Sequence, residues 1–208
     1  MKPVLIEAQY LPPISYFSAL QSCDEILLER HEHYIKQTYR NRCSINTAQG
    51  RVDLVVPLTG KHGKVMITTV RIDYAQKWLN NHWRSIQSAY ANAPFYEYYA
   101  DDLEHALFKK HVFLFDLNLT LLSMCLKWLK WDFPIKESLS YDKAPLDVID
   151  RRSQVNPKKS AHLDEFFTPS TYPQVFGATF ESNLSIIDLV FCMGPAAVKV
   201  IRESSIQK

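Results

Sequence analysis

The sequence predicts an α/β fold: an N-terminal βαβ-type, Rossmann-like sheet with a hairpin, followed by a mainly helical C-terminal half packed on it. Three observations predict it. Two short apolar runs, PVLIEAQY (3–10) and DEILLER (24–30), flank SYFSALQSC (15–23), whose apolar residues Tyr16, Ala19, Leu20 and Cys23 share one side of a short helix. RCSINTAQGRVDLVVPL (42–58) reads as two strands around a Gln49-Gly50 turn. From residue 74 onward, apolar positions recur at helical spacing.

Taken in order, the first run is a central strand broken by LPPIS, and Ser15 is placed to cap the following helix. Strand, helix and second strand within some thirty residues form a βαβ unit with parallel pairing. VMITTVRID (65–73) alternates like another strand. YAQKWLNNHWRSIQSAYANA (74–93) carries a helical stripe, with Asp73 as its cap and Pro94 beyond its end. FYEYYADDLEHALFKK gives a second helix, and FDLNLTLLSMCLKWLKWDF a third that ends at Pro134. PIKESLSYD suits a short strand. From Lys143 to Thr171, turn formers and charges predict a long connection or lid. SNLSIIDLVFCMG (182–194) is a helix capped by Ser182 or Asn183 and stopped at Gly194-Pro195, and PAAVKVIRES is a last short helix.

A chain of 208 residues with 47% apolar and 22% charged residues is sized for a single domain, 1–208, with a full core. Net charge is only +2, which disfavours a nucleic-acid partner. The charge is uneven, however: Arg30 to Lys64 holds seven Lys or Arg against two acids. A local excess of this size suits an anionic small molecule. The four cysteines are far apart and fit a reduced, cytoplasmic protein. No signal peptide is expected at the start. The longest apolar stretch, 112–126, is interrupted by Asp116 and Asn118 and is too short for a membrane span.

In open α/β sheets, ligands bind outside the carboxyl ends of the strands. Gln9, Tyr10, His31 and His33 are expected there. His31 and His33 project from one face of an extended segment, with Glu32 pointing away. Three roles stay open for this pair: ligands of a metal, acid/base groups, or polar residues at a strand end. A metal lacks an evident third ligand, and none is assigned. Lys36, Arg40, Asn41 and Arg42, interleaved with Tyr34 and Tyr39, suit a phosphate or carboxylate, because Arg offers a two-point fork. The alternative is a solvated loop. With five glycines and no GxGxxG or GxxxxGK, neither a dinucleotide fold nor a P-loop is indicated. Asp188, within an apolar helix, must be paired if buried; Arg40 or Arg42 is the expected partner.

Three segments taken together resemble the WbqC-like protein family: IEAQYLPPISYFSAL, EHYIKQTYRNRC and NLSIIDLVFCMGP. YPQVFGATFESNLSIIDL and WLNNHWRSIQSAYANAPFYEYY follow the family's order as well. The resemblance runs along nearly the whole chain. It implies an association with O-antigen and other surface-polysaccharide genes, and a suggested acyl-type or glycine transferase role. The residues it matches include Gln9, Tyr10, Tyr34, Lys36, Arg40, Asn41, Arg42, Gln174, Asn183, Ser185 and Asp188. At His31 and His33 many members carry an acidic or amide residue, which moves weight from a shared metal to the cations.

The resulting expectation is a transferase acting on a sugar nucleotide, a phosphate or an acyl donor. Lys36, Arg40 and Arg42 would hold the anion, with Gln9, Tyr10, Tyr34, Asn41, Asn183 and Ser185 around it. His31 or His33 would be the acid/base, and Asp188 would orient the cluster. The competing expectation is a non-catalytic binding or scaffold protein of the same pathway. Cofactor, reaction and oligomeric state are not legible.

Overall fold

The computed structural model describes residues 2–21, 23–60, 63–158, 163–177 and 179–206. The first apolar run forms β1 (Val4–Glu7), α1 spans Ile14–Leu20, and the second run forms β2 (Ile26–Glu29). β1 and β2 pair in parallel with Val4 opposite Ile26 and Glu7 opposite Glu29. β5 (Ile135–Glu137) adds in parallel outside β2, and β6 (Ile149–Asp150) adds in parallel outside β1. The sheet order is therefore β5-β2-β1-β6, with the predicted first strand in a central position. β3 (Arg42–Thr47) and β4 (Gly50–Val55) form the expected antiparallel hairpin.

The side chains of β1 and β2 sort by face. Val4, Ile6, Ile26 and Leu28 point to one side, are fully buried, and belong to one continuous core. That core also takes in α2 (Trp78–Tyr90), α3 (Tyr96–Phe108), α4 (Leu114–Trp128), α5 (Ile186–Met193) and α6 (Ala197–Glu203). Leu5, Leu27, Glu7 and Glu29 point to the other side, because successive side chains of a strand alternate.

Several boundaries differ from the sequence reading. The run 65–73 is not a strand. It holds a 3-10 turn at Ile67–Thr69, and Met66, Arg71 and Ile72 make isolated bridges to His33, Phe113 and Leu58. Alternation supplied the side-chain pattern, but no single neighbour runs alongside to complete a ladder. α2 starts at Trp78 rather than residue 74. Asp73 instead closes a turn upstream, its carboxylate accepting the Ala75 N–H at 2.9 Å. Ser15 is not a cap; α1 begins at Ile14 behind Pro13. The Ser15 N–H is satisfied from 168 residues away by Asn183 Oδ1 at 3.0 Å. The expected cap of α5 thus caps α1, and Ser185 occupies the N-cap position of α5.

Candidate functional site at the carboxyl edge of the sheet

Both central strands end in glutamate, and both carboxylates are fully buried. A buried carboxylate is costly unless it is paired and hydrogen bonded, and each of these is fully engaged. Glu7 accepts from Gln9 Nε2 at 2.9 Å and from the Ser153 N–H at 2.8 Å. Glu29 accepts from the His31 N–H at 2.8 Å, the Ser138 hydroxyl at 2.7 Å and Arg152 Nη1 at 2.9 Å. A third acid, Glu32, turns inward one residue after His31. Arg40 grips it with Nε at 2.7 Å and Nη2 at 2.6 Å. Arg40 also gives an N–H to Thr38 Oγ1 and lies 3.7 Å from Glu7. Burial pushes the Glu32 carboxyl above its ordinary value; Arg40 pulls it back, and Glu7 and Glu29 add to the upward push.

Arg152 mirrors Arg40 on the other flank. Beyond Glu29 it binds Asp150 at 2.6 and 3.0 Å and the Asp142 carbonyl at 2.7 Å, and its guanidinium lies 4.7 Å from the centre of the Tyr141 ring. Two arginines thus tie the strand ends to the loop after β2 and to the segment around β6.

Beside this network lies a cleft of about 400 Å³, lined by His31, Glu32, His33, Ile35, Tyr141, Lys143, Arg152 and Ser153. The volume is within the usual range for small-molecule sites, and the location is the expected sheet edge. His31 and His33 both reach it, and Glu32 between them forms part of its wall with its carboxylate turned inward to Arg40. Neither imidazole makes a side-chain hydrogen bond among the described residues, and Lys143 has no ion pair there. Among the described residues, no three His, Cys, Asp or Glu side chains are grouped to hold a metal.

The other candidate residues are spread more widely. Gln9 is buried and also donates to the Val155 carbonyl at 2.9 Å. Tyr10 lies in the core, its hydroxyl 3.0 Å from His82 Nδ1. Tyr34 is buried, and burial raises its phenol above the ordinary value. Lys36 is exposed. Asn41 donates to the Val56 carbonyl at 3.0 Å. Arg42 is half-buried on β3, 3.8 Å from Asp53. Asn183 lines a second, larger cleft of about 610 Å³ together with Tyr39 and Arg51. The Ser185 hydroxyl donates to the Leu11 carbonyl at 2.8 Å.

Asp188 meets neither arginine. It accepts from the Tyr172 hydroxyl at 2.6 Å, the Tyr90 hydroxyl at 2.8 Å and Gln174 Nε2 at 3.3 Å. The expected pairing with Arg40 or Arg42 is therefore corrected. Arg40 has carboxylates of its own at the sheet edge, and phenolic hydroxyls satisfy Asp188. Burial still raises its carboxyl above the usual value, against the pull of these three donors.

Glu7, Glu29, Glu32, Lys143, Arg152 and Ser153 escaped the sequence reading. One signal was available for two of them: both adjacent strands, VLIE and ILLE, end an apolar run on glutamate. Nothing local marks Arg152 as their partner.

Comparison with known proteins places the chain within a family. The model of the WbqC-like protein family matches residues 7–163 and 161–200, and the chain belongs to that family. The chain is also similar to "Uncharacterized protein Rv1507c" of Mycobacterium tuberculosis (strain ATCC 25618 / H37Rv), with 26% identity over 97% of each chain. No solved structure matches.

Proposed function

We propose that this protein is a transferase of cell-surface polysaccharide biosynthesis whose anionic substrate, a sugar nucleotide, sugar phosphate or acyl donor, binds in the His31–Lys143 cleft. One observation carries the proposal. At the carboxyl ends of a parallel sheet, two imidazoles and an ammonium without side-chain partners among the described residues line a cavity of small-molecule size. Neutral histidine accepts or donates a proton near pH 7, and Lys143 supplies positive charge for a phosphate or carboxylate. The pathway comes from the family resemblance alone.

The roles differ from those expected from sequence, and one of them passes to a residue outside that set. Arg40 is neutralised by Glu32 and Glu7, so it positions the floor of the cleft rather than holding the anion. Lys143 takes the charge role, with Lys36 on the exposed stretch beyond His33. His31 and His33 remain the acid/base candidates. Asp188 orients Tyr90, whose hydroxyl in turn accepts the Asn46 backbone N–H at 3.2 Å. Arg42, Asn183 and Ser185 lie on elements that frame the second cleft or the core.

A second reading is favoured by the closed Glu7–Arg40–Glu32 network, which has the character of a structural tie. Under it the cleft binds its ligand without chemistry. The test is thermal-shift screening with sugar nucleotides, sugar phosphates and acyl-CoA, on the wild type and on a His31→Ala/His33→Ala variant, followed by mass spectrometry of incubated mixtures. Stabilisation by one donor class, lost in the variant and accompanied by a transferred group, is expected. Stabilisation without any product would instead establish the binding protein. Absence of any shift at high ligand concentration would remove the cleft as a site.

A further inference from the structure

We propose that the ligand of the cleft is amphiphilic, an anionic head carrying an alkyl or acyl chain, with the chain lying in a groove beneath the segment that joins β5 to β6. This deepens the function proposed above and rests on it.

β5 and β6 are parallel and lie on opposite edges of the sheet. Their connection must therefore return along the sheet from the carboxyl end of β5 to the start of β6. Such a crossover is usually a helix, which buries the face it crosses. Residues 138–148 form no helix. The register partners Leu5 and Leu27 face a groove of about 440 Å³ whose walls include Leu139, Pro145, Leu146 and Val148. Leu139 is 95% and Leu146 85% exposed. Two leucines held in water beside an apolar groove are the arrangement a hydrocarbon chain would relieve, since burial of apolar surface is favourable.

The same connection walls the histidine cleft. Ser140 and Asp142 line the groove, while Tyr141 and Lys143 line the cleft. The groove thus begins beside Lys143, which has no ion pair among the described residues. Of its ionic groups, Lys136 pairs with Glu25 and Glu137 with Arg30, and the Asp142 carboxylate accepts the Ala144 N–H at 3.0 Å. Positive charge is left at the cleft end and apolar surface along the groove, which is the complement of an anion with a tail.

The experiment is calorimetric titration of the full chain with ethyl, hexyl and octyl phosphate, and with octyl glucoside, all below their micelle concentrations. Affinity is expected to rise with chain length, by up to about fourfold per methylene. Leu139→Asn/Leu146→Asn is expected to abolish that rise while ethyl phosphate binds as before; both positions are exposed, so the fold is not at risk. Lys143→Ala is expected to weaken all three phosphates alike. Equal affinity for ethyl and octyl phosphate would overturn the tail and leave the anion cleft standing. Octyl glucoside binding as tightly as octyl phosphate would overturn the head. A dimer abolished by Leu139→Asn/Leu146→Asn, with no gain from chain length, would assign the groove to a second copy. Absence of binding by every phosphate would overturn both this proposal and the function it rests on.

Discussion

Arg40 holds Glu32 through two hydrogen bonds of 2.7 and 2.6 Å, with almost no exposure of either side chain. A pair of this kind contributes little relative to apolar residues but is costly to break from one side, because the remaining charge is left buried. Arg40→Ala is expected to destabilise the fold by about 3 to 5 kcal/mol, measured by urea denaturation. Arg40→Lys should recover only part of this, since an ammonium cannot reproduce the fork. A variant as stable as the wild type would mean that Arg40 serves a ligand instead.

The exposed side of the site should behave in the opposite way. His31 and His33 make no side-chain bond among the described residues, so His31→Ala and His33→Ala are expected to change stability by no more than about 0.5 kcal/mol. Chemical denaturation checks this directly. Any loss of ligand-induced stabilisation in these variants then reports binding and not folding.

His82 provides a pH dependence. Burial lowers its imidazole from 6.5 to about 4, and the hydrogen bond to the Val55 backbone only partly opposes this. The unfolded chain therefore takes up a proton below about pH 6.5 that the folded chain refuses until about pH 4. The contribution of His82 to stability is complete above that window and falls as pH decreases through it, by on the order of 3 kcal/mol at the limit, while the raised Glu32 carboxyl contributes with the opposite sign. Denaturation midpoints at pH 7.5, 6, 5 and 4.5 test this. His82→Gln, which retains an acceptor for Tyr10 but binds no proton, is expected to flatten the profile.

The Asp188 cluster predicts coupling between distant segments. Tyr172→Phe removes one donor to a buried carboxylate and is expected to cost about 1 to 3 kcal/mol. A double-mutant cycle with Asp188→Asn should give a coupling of roughly 0.5 to 3 kcal/mol, as found for residues in one hydrogen-bond network. Additive effects would mean that the two residues do not share a network in solution.

Gly194 sits at φ +51° where α5 ends, and a Cβ there would collide with the Phe95 ring. Gly194→Ala combines an unfavourable backbone region with overpacking. It is expected to destabilise by about 2 to 4 kcal/mol, seen as a lower thermal midpoint.

The elements legible in the sequence were those whose signal is local. VLIE, ILLE, the hairpin and the amphipathic helices carry their own periodicity, and each formed close to the expected place. The failures share a cause. Residues 65–73 alternate, but strand formation depends on a neighbour that sequence does not name. Ser15 and Asn183 both fit the chemistry of a cap, yet which helix end Asn183 serves was decided by packing across 168 residues. At the site, HEH drew attention through its two histidines, and its middle glutamate is the one that pairs with Arg40. The arginines were expected to face a ligand because their charge is visible. The buried acids that neutralise Arg40 are single letters, Glu7 at the end of an apolar run and Glu32 between two histidines.

The strand order also has a kinetic consequence. β5 lies against β2, yet Glu29 and Ile135 are separated by most of the helical region, and β6 reaches β1 from still further along the chain. Contacts this distant in sequence form late, because a large loop must close before they contribute stability. During synthesis β1 and β2 emerge early and wait with both outer edges unpaired, the configuration most open to pairing with another chain. Refolding should therefore be slow for a chain of this length, with yield falling as protein concentration rises.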